Sequence, residues 1–378
     1  MKSIFLVAAS AAALLASPAV AQTQPAPGSK IPDQYICVFK QGAVARGAEQ
    51  AAANKAAMAG GGAASHVYTT AIKGFSARIP AHAIERVKAA NPNIDYCEQD
   101  QVASLVPIRA EARKPSGGGG GKVTQPPQET PWGIARVNGG KSTGPFATAW
   151  VIDTGIDPRH PDLFVDTARS KSFIGTTSYA DENGHGTHVA GTIAALSNSI
   201  GVIGVAPGAP VVAVRVLDRA GSGTTSGVIA GVDYVARTGR PGDVANMSLG
   251  GGISTALDSA VLNAAATGIR FALAAGNSAT HAQNSSPARV NGPNIYTVSA
   301  FGAGDVFASF SNYGNPPVDY AEPGVGIKST WLAGGYNTIS GTSMATPHLA
   351  GLLLLGAVSN GGVVQGDPDG MPDVIGVK

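Results

Sequence analysis

Charged residues are scarce in this chain. They make up only 13% of its 378 residues, and the two signs nearly balance to a net charge of +2. Disordered chains carry a large excess of charge, and nucleic-acid-binding domains carry a clustered basic face. Neither pattern is present, so we expect a folded protein that does not bind nucleic acid. The length suggests two or three folding units, and the 51 glycines indicate many turns.

Cysteine is almost absent. The chain has two, Cys37 and Cys97, and both lie before residue 100. The later part of the chain therefore has no thiol and no disulfide. This excludes a cysteine nucleophile and a thiolate-ligated metal from that part.

Long apolar runs are absent beyond the first residues. Lys2 precedes an apolar stretch over residues 4–15, and Ala19-Val20-Ala21 is a small-x-small cleavage site. A membrane anchor would need about 20 apolar residues, and Pro18 and the following polar residues argue against one. We therefore predict a signal peptide over 1–21 and secretion, into the medium or the periplasm, with no membrane attachment after cleavage.

Residues 33–105 have the pattern of a small α+β unit. Strands are predicted at 35–39, 66–68, 74–79 and 94–98, with an Ala-rich helix at about 43–59 and a second helix at 83–90. This βαββαβ order is typical of a ferredoxin-like fold. Residues 106–127 follow, rich in Gly and Pro, and we predict a flexible linker that contains a processing site.

Residues 128–378 alternate between short apolar runs and helical stretches. Strands are predicted at 149–152, 211–216, 244–248 and 270–274, and helices at about 185–197, 224–238, 254–267 and 343–358. This alternation predicts an α/β fold with a mostly parallel sheet, helices on both faces and ligands at the carboxyl ends of the strands.

Four polar residues stand out within short glycine-containing motifs: Asp153 in Asp-Thr-Gly, His185 in Asn-Gly-His-Gly-Thr-His, Asn277 in Ala-Ala-Gly-Asn, and Ser343 in Gly-Thr-Ser-Met-Ala-Thr-Pro-His. Taken alone, each has a structural explanation. Asp153 fits a turn after a strand, His185 a loop and Asn277 a Gly-Asn turn. Ser343 fits an N-cap, with Pro347 in the first turn of its helix.

The four motifs together, in this order, resemble the subtilisin family of serine proteases. The resemblance runs from about Gln128 to about Val358 and includes segments outside the chemistry, such as Pro-Trp-Gly-Ile at 131–134. It implies a subtilisin-like fold and a secreted serine endopeptidase that forms an acyl-enzyme. Ser343 would be the nucleophile, His185 its base, and Asp153 the group that orients the base. Asn277 and the Ser343 N–H would stabilise the oxyanion.

The resemblance also implies where a peptide substrate binds. Its backbone would pair with Gly221, Ser222 and Gly223 on one side and with Ser248, Leu249 and Gly250 on the other. Ala274, Ala275 and Gly276 would wall a pocket without charge, which implies broad specificity with an apolar or aromatic preference.

A structural Ca²⁺ site is implied as well. Its ligands would be side-chain oxygens of Gln128, Asp162 and Asn198 and carbonyls of Leu196, Ile200 and Val202. The alternative is an ordinary Gly-Asn loop. Oxygen ligands of this kind suit a hard cation.

The unit at 33–105 resembles the inhibitory propeptide of the family. Its partners would be the peptidase domain of the same chain and no other subunit, since we expect a monomer. In such a unit the first and last strands are neighbours, so a Cys37–Cys97 disulfide is a hypothesis. The tail after Ser343 lacks the further helix that the family usually has.

Two other functions compete with a serine peptidase. A non-catalytic homologue used as a binding module would lack one of the four residues, but all are present. A zinc hydrolase could use His185-x-x-His188, but the glutamate of the His-Glu-x-x-His motif and a third ligand are missing.

Overall fold

The computed structural model describes residues 26–105, the backbone of 109–110, and residues 125–378. The predicted signal peptide, residues 1–21, lies outside the described residues. The first elements are β1 (Lys30–Phe39), α1 (Glu49–Ala59), β2 (Ala64–Tyr68), β3 (Gly74–Arg78), α2 (Ile84–Ala90) and β4 (Ile94–Leu105). We call this part the N-terminal unit. Its antiparallel sheet has the order β4-β1-β3-β2, and its element order is the one predicted.

Two predicted boundaries of the N-terminal unit were wrong. The helix expected from residue 43 begins only at Glu49, because Gly42 and Gly47 take positive φ angles that a helix cannot contain. The unit also begins before residue 33. β1 starts at Lys30, and the Gly28 N–H donates to the Val102 carbonyl at 2.8 Å.

The two cysteines form a disulfide, as hypothesised. Cys37 in β1 and Cys97 in β4 lie directly opposite each other in the antiparallel pair. Cys37 is fully buried and packs in a small apolar cluster with Phe39 and Phe75. The disulfide thus ties together the first and last strands of a unit whose own core is small.

Only part of the predicted linker is described. β5 (Arg109–Ala110) pairs with a later strand, whereas 106–108 and 111–124 lie outside the described residues. The linker was predicted to extend to residue 127, which was wrong at its end. Gln125 donates to the Gly334 carbonyl at 3.1 Å, and Pro127 bridges to Ile200.

The remaining chain forms the large domain, which begins with α3 (Trp132–Arg136), β6 (Ala149–Asp153), β7 (Lys171–Ser172), α4 (His185–Ala194), β8 (Val211–Arg215), β9 (Ser222–Thr224) and α5 (Thr225–Thr238). It continues with β10 (Val244–Met247), β11 (Leu249–Gly250), α6 (Thr255–Ala265), β12 (Arg270–Ala274), β13 (Ile295–Gly302), β14 (Val306–Phe307) and β15 (Val318–Pro323). It ends with β16 (Ile327–Trp331), β17 (Gly335–Ser340), α7 (Thr342–Leu355), β18 (Ser359–Val363) and β19 (Val374–Val377).

The large sheet has the order β18-β19-β15-β13-β12-β10-β6-β8-β7 and is parallel from β19 to β7. Side chains of β6 alternate between its two faces. Trp150 and Ile152 join the apolar cluster under α5 and α6, and Ala149 and Val151 join the cluster under α4 and α7. Both faces of a central strand are therefore buried, which explains its unbroken apolar run.

The C-terminal tail forms a β-hairpin, not a helix. β19 adds to the sheet beside β15, and β18 pairs with it in antiparallel fashion. The buried Ile375 joins Phe301 and Ala321 in a separate apolar cluster at this edge. The hairpin thus covers the edge of the core that the sequence had left unassigned.

Candidate active site

A buried aspartate–histidine pair lies at the carboxyl edge of the large sheet. Asp153 is the last residue of β6, and His185 is the first residue of α4. His185 Nδ1 lies 2.8 Å from Asp153 Oδ1 and 3.0 Å from Oδ2, and both side chains are fully buried. Because a carboxylate only accepts, Nδ1 carries the proton and neutral His185 has its lone pair on Nε2.

Ser343 lies in the first turn of the helix that packs against α4, and the alternative explanation of Ser343 as an N-cap does not hold. The N-cap is Gly341, and Ser343 is the second residue of α7, with Pro347 further inside. The Ser343 hydroxyl donates to the Ser248 carbonyl at 3.2 Å, and the Ser248 hydroxyl donates to the Ser343 carbonyl at 3.0 Å. Two reciprocal bonds therefore fix the start of α7 to the end of β10.

The sheet register places Ser248, which holds Ser343, next to Asp153, which holds His185. Met247 in β10 pairs with Ile152 in β6, so Ser248 and Asp153 follow at neighbouring strand ends. Adjacent strands lie about 4.8 Å apart. His185 Nε2 is buried and has no hydrogen-bond partner within the described chain. The arrangement therefore places a buried ring nitrogen and a serine in the first turn of a helix at neighbouring strand ends.

Asn277 follows β12, the next strand along the sheet. Its Oδ1 accepts from the Thr342 N–H at 2.8 Å and from the Thr342 hydroxyl at 2.9 Å. The preceding Gly276 has φ +113°, and a Cβ there would lie 2.3 Å from Asn312 Nδ2. Only glycine fits this close approach, which holds Asn277 against the residue before Ser343.

The predicted substrate segments hold a strand of the chain itself. The end of β4 lies between β9 and β11, with Ser104 opposite Ser222 on one side and opposite Gly250 on the other. The Leu105 N–H donates to the Gly221 carbonyl at 2.9 Å. Beyond the undescribed 106–108, β5 pairs with β17, which ends three residues before Ser343. The chain is thus held on both sides of Ser343.

A cavity of about 380 Å³ lies beside the end of β4. Of the predicted wall, Gly276 lines it, whereas Ala274 and Ala275 are buried and do not. The rest of the lining is uncharged and mixes apolar residues with polar ones, among them Pro27, Leu105, Ser278, Thr280, Asn284, Ser285 and Asn312. The cavity lining carries no formal charge.

The six predicted calcium ligands lie together. Gln128 Nε2 lies 2.7 Å from the Leu196 carbonyl, 3.2 Å from Asn198 Oδ1, 3.4 Å from the Ile200 carbonyl and 3.3 Å from the Val202 carbonyl. Asn198 Nδ2 donates to Asp162 Oδ1 at 2.8 Å, and burial raises the pKa of Asp162. An amide group has only two protons for these four oxygens. The four oxygens around Gln128 Nε2 therefore outnumber the two N–H donors that this amide can offer them.

His188 has no place in this chemistry. Its Nε2 lies 3.0 Å from the Ile327 carbonyl, and burial lowers its pKa to about 3. The described residues contain no group of three or more His, Cys, Asp or Glu side chains that could hold a metal ion. The ligand set of the zinc alternative is not assembled among them.

Two features were missed at the sequence level. Strand β17 borders the cleft after Ser343, and Asp181 makes five hydrogen bonds beside the Asp153–His185 pair. Asp181 precedes the Asn-Gly-His motif by only two residues, and this closeness was the available signal. Strand β17 forms a hairpin with β16, but its pairing with β5, more than 200 residues earlier, left no signal in the sequence.

Comparison with known proteins agrees with this geometry. The model of the Subtilase family matches residues 150–358. The chain is 39% identical over 340 residues to the subtilisin-like serine protease AsES of Sarocladium strictum, covering 82% of this chain and 81% of that protein. It is 39% identical over 351 residues to Proteinase R of Parengyodontium album, covering 88% of this chain and 82% of that protein.

A bacterial relative and a solved structure extend the comparison. The extracellular serine proteinase of Thermus sp. (strain Rt41A) is 37% identical over 378 residues, covering 90% of this chain and 85% of that protein. The crystal structure of a cold adapted subtilisin-like serine proteinase is 48% identical, with a TM-score of 0.52, and covers 59% of this chain and 83% of that one. None of the helices in the described part of the chain has the length and apolar character to cross a membrane. The chain belongs to the subtilase family and is a subtilisin-like serine endopeptidase.

Proposed function

We propose that the chain is the precursor of a secreted, monomeric endopeptidase in which Ser343 attacks the peptide, His185 is its base and Asp153 orients that base. One observation carries this proposal: Asp153–His185 and Ser343 are anchored at adjacent strand ends, between two places where the chain's own backbone is held as an added strand. The disulfide supports export, since disulfides persist in oxidising compartments.

The chemistry follows from the protonation of His185. The Ser343 hydroxyl turns from the Ser248 carbonyl to Nε2, which takes its proton as Oγ bonds to the carbonyl carbon. The imidazolium then gives this proton to the leaving amine and an acyl-enzyme remains. Water, activated by the same nitrogen, releases the second product. Catalytic hydrogen bonds are often long before substrate binds, so the present Ser248 contact is compatible with this sequence.

Asn277 supplies one donor to the developing oxyanion. Because its Oδ1 faces two donors of Thr342, its amide nitrogen is directed away from Thr342. The second donor is the backbone N–H of Ser343, one of the first four in α7, which have no acceptor within the helix. Both groups are fixed before the reaction, which is what makes such donors effective.

Specificity is broad, with an apolar or aromatic preference before the scissile bond. Recognition by β9 and β11 uses backbone pairing, which reads no side chain. The adjoining cavity is large enough for an aromatic ring and has no charged lining residue. A charged side chain would find no counter-ion there.

The N-terminal unit inhibits the peptidase and is removed by self-cleavage between Leu105 and Arg109. Its strand β4 fills the cleft before Ser343, and β5 lies after it. Two of its carboxylates also accept from helix N-termini: Glu98 from the Thr255 N–H of α6 at 3.1 Å, and Asp100 from the Ser226 N–H of α5 at 3.1 Å. Negative charge is favourable at these positions.

Calcium binds the loop around Asn198. The donor set of Asp162, Asn198, three carbonyls and Gln128 consists of oxygens, as a hard cation requires, once the Gln128 amide turns so that Oε1 takes the place of Nε2. The excess of acceptors over donors noted above favours a cation at their centre. When bound, the ion supplies charge that stabilises this loop. Since Gln128 lies at the start of the large domain, the site also fixes that end of the chain.

Removal of calcium should lower the melting temperature without abolishing peptide cleavage at low temperature. At a calcium concentration 100-fold above Kd, binding contributes about 2.7 kcal/mol, which corresponds to a shift of about 5–10 °C for a domain of this size. Calorimetry of the processed enzyme in excess calcium and in EDTA measures the shift. In Asp162→Asn the difference should shrink markedly, and equal curves for the wild-type enzyme in both buffers would reject the site.

Covalent labelling tests the proposed nucleophile. A fluorophosphonate or sulfonyl fluoride, applied with a chelator present, should abolish activity and add one label, which peptide mass spectrometry should find on Ser343. Activity that disappears with chelator alone, without serine labelling, would instead indicate a metal hydrolase. A label on any other serine would contradict the assignment.

A further inference from the structure

A second buried carboxylate lies next to the Asp153–His185 pair. Asp181 is 8% exposed, and its two oxygens together accept five hydrogen bonds. It forms no ion pair among the described residues. A buried charge must be held by specific donors, so this many contacts in one place indicate a structural junction.

One oxygen of Asp181 fixes the segment that follows Asp153. Oδ1 accepts from the Thr154 hydroxyl at 2.9 Å, and the Thr154 hydroxyl in turn accepts from the Gly186 N–H at 2.9 Å. The Thr154 N–H donates to Asp153 Oδ1 at 2.7 Å. Asp181 is therefore connected through a single residue, Thr154, to the Asp153 carboxylate that holds the His185 imidazole.

The same carboxylate also fixes the start of α4, which carries His185. Oδ1 accepts from the N–H groups of Asn183 and Gly184, both at 2.9 Å. Oδ2 accepts from the N–H of Thr187 at 3.0 Å and from its hydroxyl at 2.7 Å. The residues on both sides of His185 are thus bound to one side chain, at the helix end where negative charge is favourable.

We propose that Asp181 is a positioning residue, which sets the distance and orientation of His185 relative to Asp153 by binding the main chain around both. This inference rests on the proposed roles of Asp153, His185 and Ser343. The five hydrogen bonds of Asp181 go to Thr154, Asn183, Gly184 and Thr187 and not to Ser343, so we expect it to act through the pair. Misplacing a catalytic group by about 1 Å can lower the rate about 100-fold.

The Asp181→Asn variant tests this role. In asparagine an NH2 group replaces one of the two carboxylate oxygens. This group cannot accept a hydrogen bond, so some of the five contacts must be lost while the shape and volume of the side chain are kept. We expect kcat on a peptide substrate to fall about 10- to 100-fold with KM within about twofold of the wild-type value. Variants are made as the full chain, and slow precursors are matured with a trace of wild-type enzyme that is then removed.

The matched control is Asp243→Asn. Asp243 is a buried carboxylate at the opposite end of the same strands, where it accepts from the Thr148 N–H, the Trp150 indole and the Arg240 N–H, each at 3.0 Å. Its replacement should lower the melting temperature but leave kcat within about twofold. If Asp181→Asn behaves in the same way, Asp181 is merely structural and the proposal is overturned.

A double-mutant cycle distinguishes positioning from general damage. If Asp181 acts through Asp153 and His185, its replacement should cost less than about threefold once Asp153→Asn is present. A full multiplicative loss would overturn the proposal.

If Asp181→Asn does not fold, Thr154→Val removes one link of the network and should lower kcat about threefold to tenfold, again with KM unchanged. Wild-type kcat in that variant would also count against the proposal. Undiminished activity in Ser343→Ala would instead refute the proposed function itself.

Discussion

Replacing Ser343 by alanine should lower kcat by about 10⁶-fold, the magnitude known for the corresponding change in subtilisin, a member of this family. The serine oxygen forms the bond to the peptide carbon, and no other group near His185 can replace it. The same variant should remain an unprocessed precursor, because the proposed function assigns the cut at one of the peptide bonds between Leu105 and Arg109 to the same site. Peptide hydrolysis assays and intact mass spectrometry measure the two effects.

The structural cost of this change is small, which makes the result easy to interpret. The Ser343 hydroxyl makes one hydrogen bond, to the Ser248 carbonyl, and losing one such bond costs about 1 kcal/mol. Ser359→Ala, a change at an exposed serine in β18, serves as control and should process and cleave normally. Self-processing by the Ser343→Ala precursor, with no other protease present, would assign the nucleophile elsewhere.

Replacing Asp233 by alanine should release the N-terminal unit from the processed enzyme about 10²- to 10³-fold faster. Asp233 lies in α5 of the large domain, and its Oδ1 accepts from the N–H groups of Thr69, Thr70 and Ala71 at 3.1, 2.7 and 2.8 Å. Hydrogen bonds to a charged group contribute about 1.5–3 kcal/mol each. Because three bonds share one oxygen, we expect a total of about 3–4 kcal/mol, and each 1.4 kcal/mol is tenfold in affinity.

Activity should therefore appear sooner after self-cleavage in this variant. The measurement is the rate at which hydrolysis of a small peptide substrate recovers when the processed complex is diluted. Asp233→Asn retains an amide oxygen that can face the three N–H groups and should have a smaller effect. Asp166→Ala removes a carboxylate that pairs with Arg169 away from this contact and should not change the rate. Unchanged recovery in Asp233→Ala would show that β4 alone holds the unit in place.

The contact between the N-terminal unit and the large domain also has an apolar part. Ile36, Tyr68 and Ile72 are buried in the same cluster as residues of α5 and α6. Such burial is strong but carries little directional information. Asp233, by contrast, recognises three successive N–H groups and so fixes the orientation of the unit over the cleft.

The sequence by itself determined the family and the core strands, and it predicted the residues of the site. The runs that form β6, β8, β10 and β12 are apolar because both faces of a central parallel strand are buried, and that pattern is local. Asp153, His185, Asn277 and Ser343 were predicted as site residues because their chemistry depends on residue type within short motifs. The residues predicted to bind calcium lie together in the structure, since most of them are in one loop.

Only the tertiary structure decided how distant parts of the chain meet. The capture of β4 between β9 and β11, the pairing of β5 with β17 and the three bonds to Asp233 each join residues more than 100 positions apart. The tertiary structure also decided the hairpin of β18 and β19, whose weakly patterned strands form because β15 leaves an edge to be covered. Local sequence sets which segments are apolar or helical, but backbone pairing between segments depends on edges that exist only after the chain has folded.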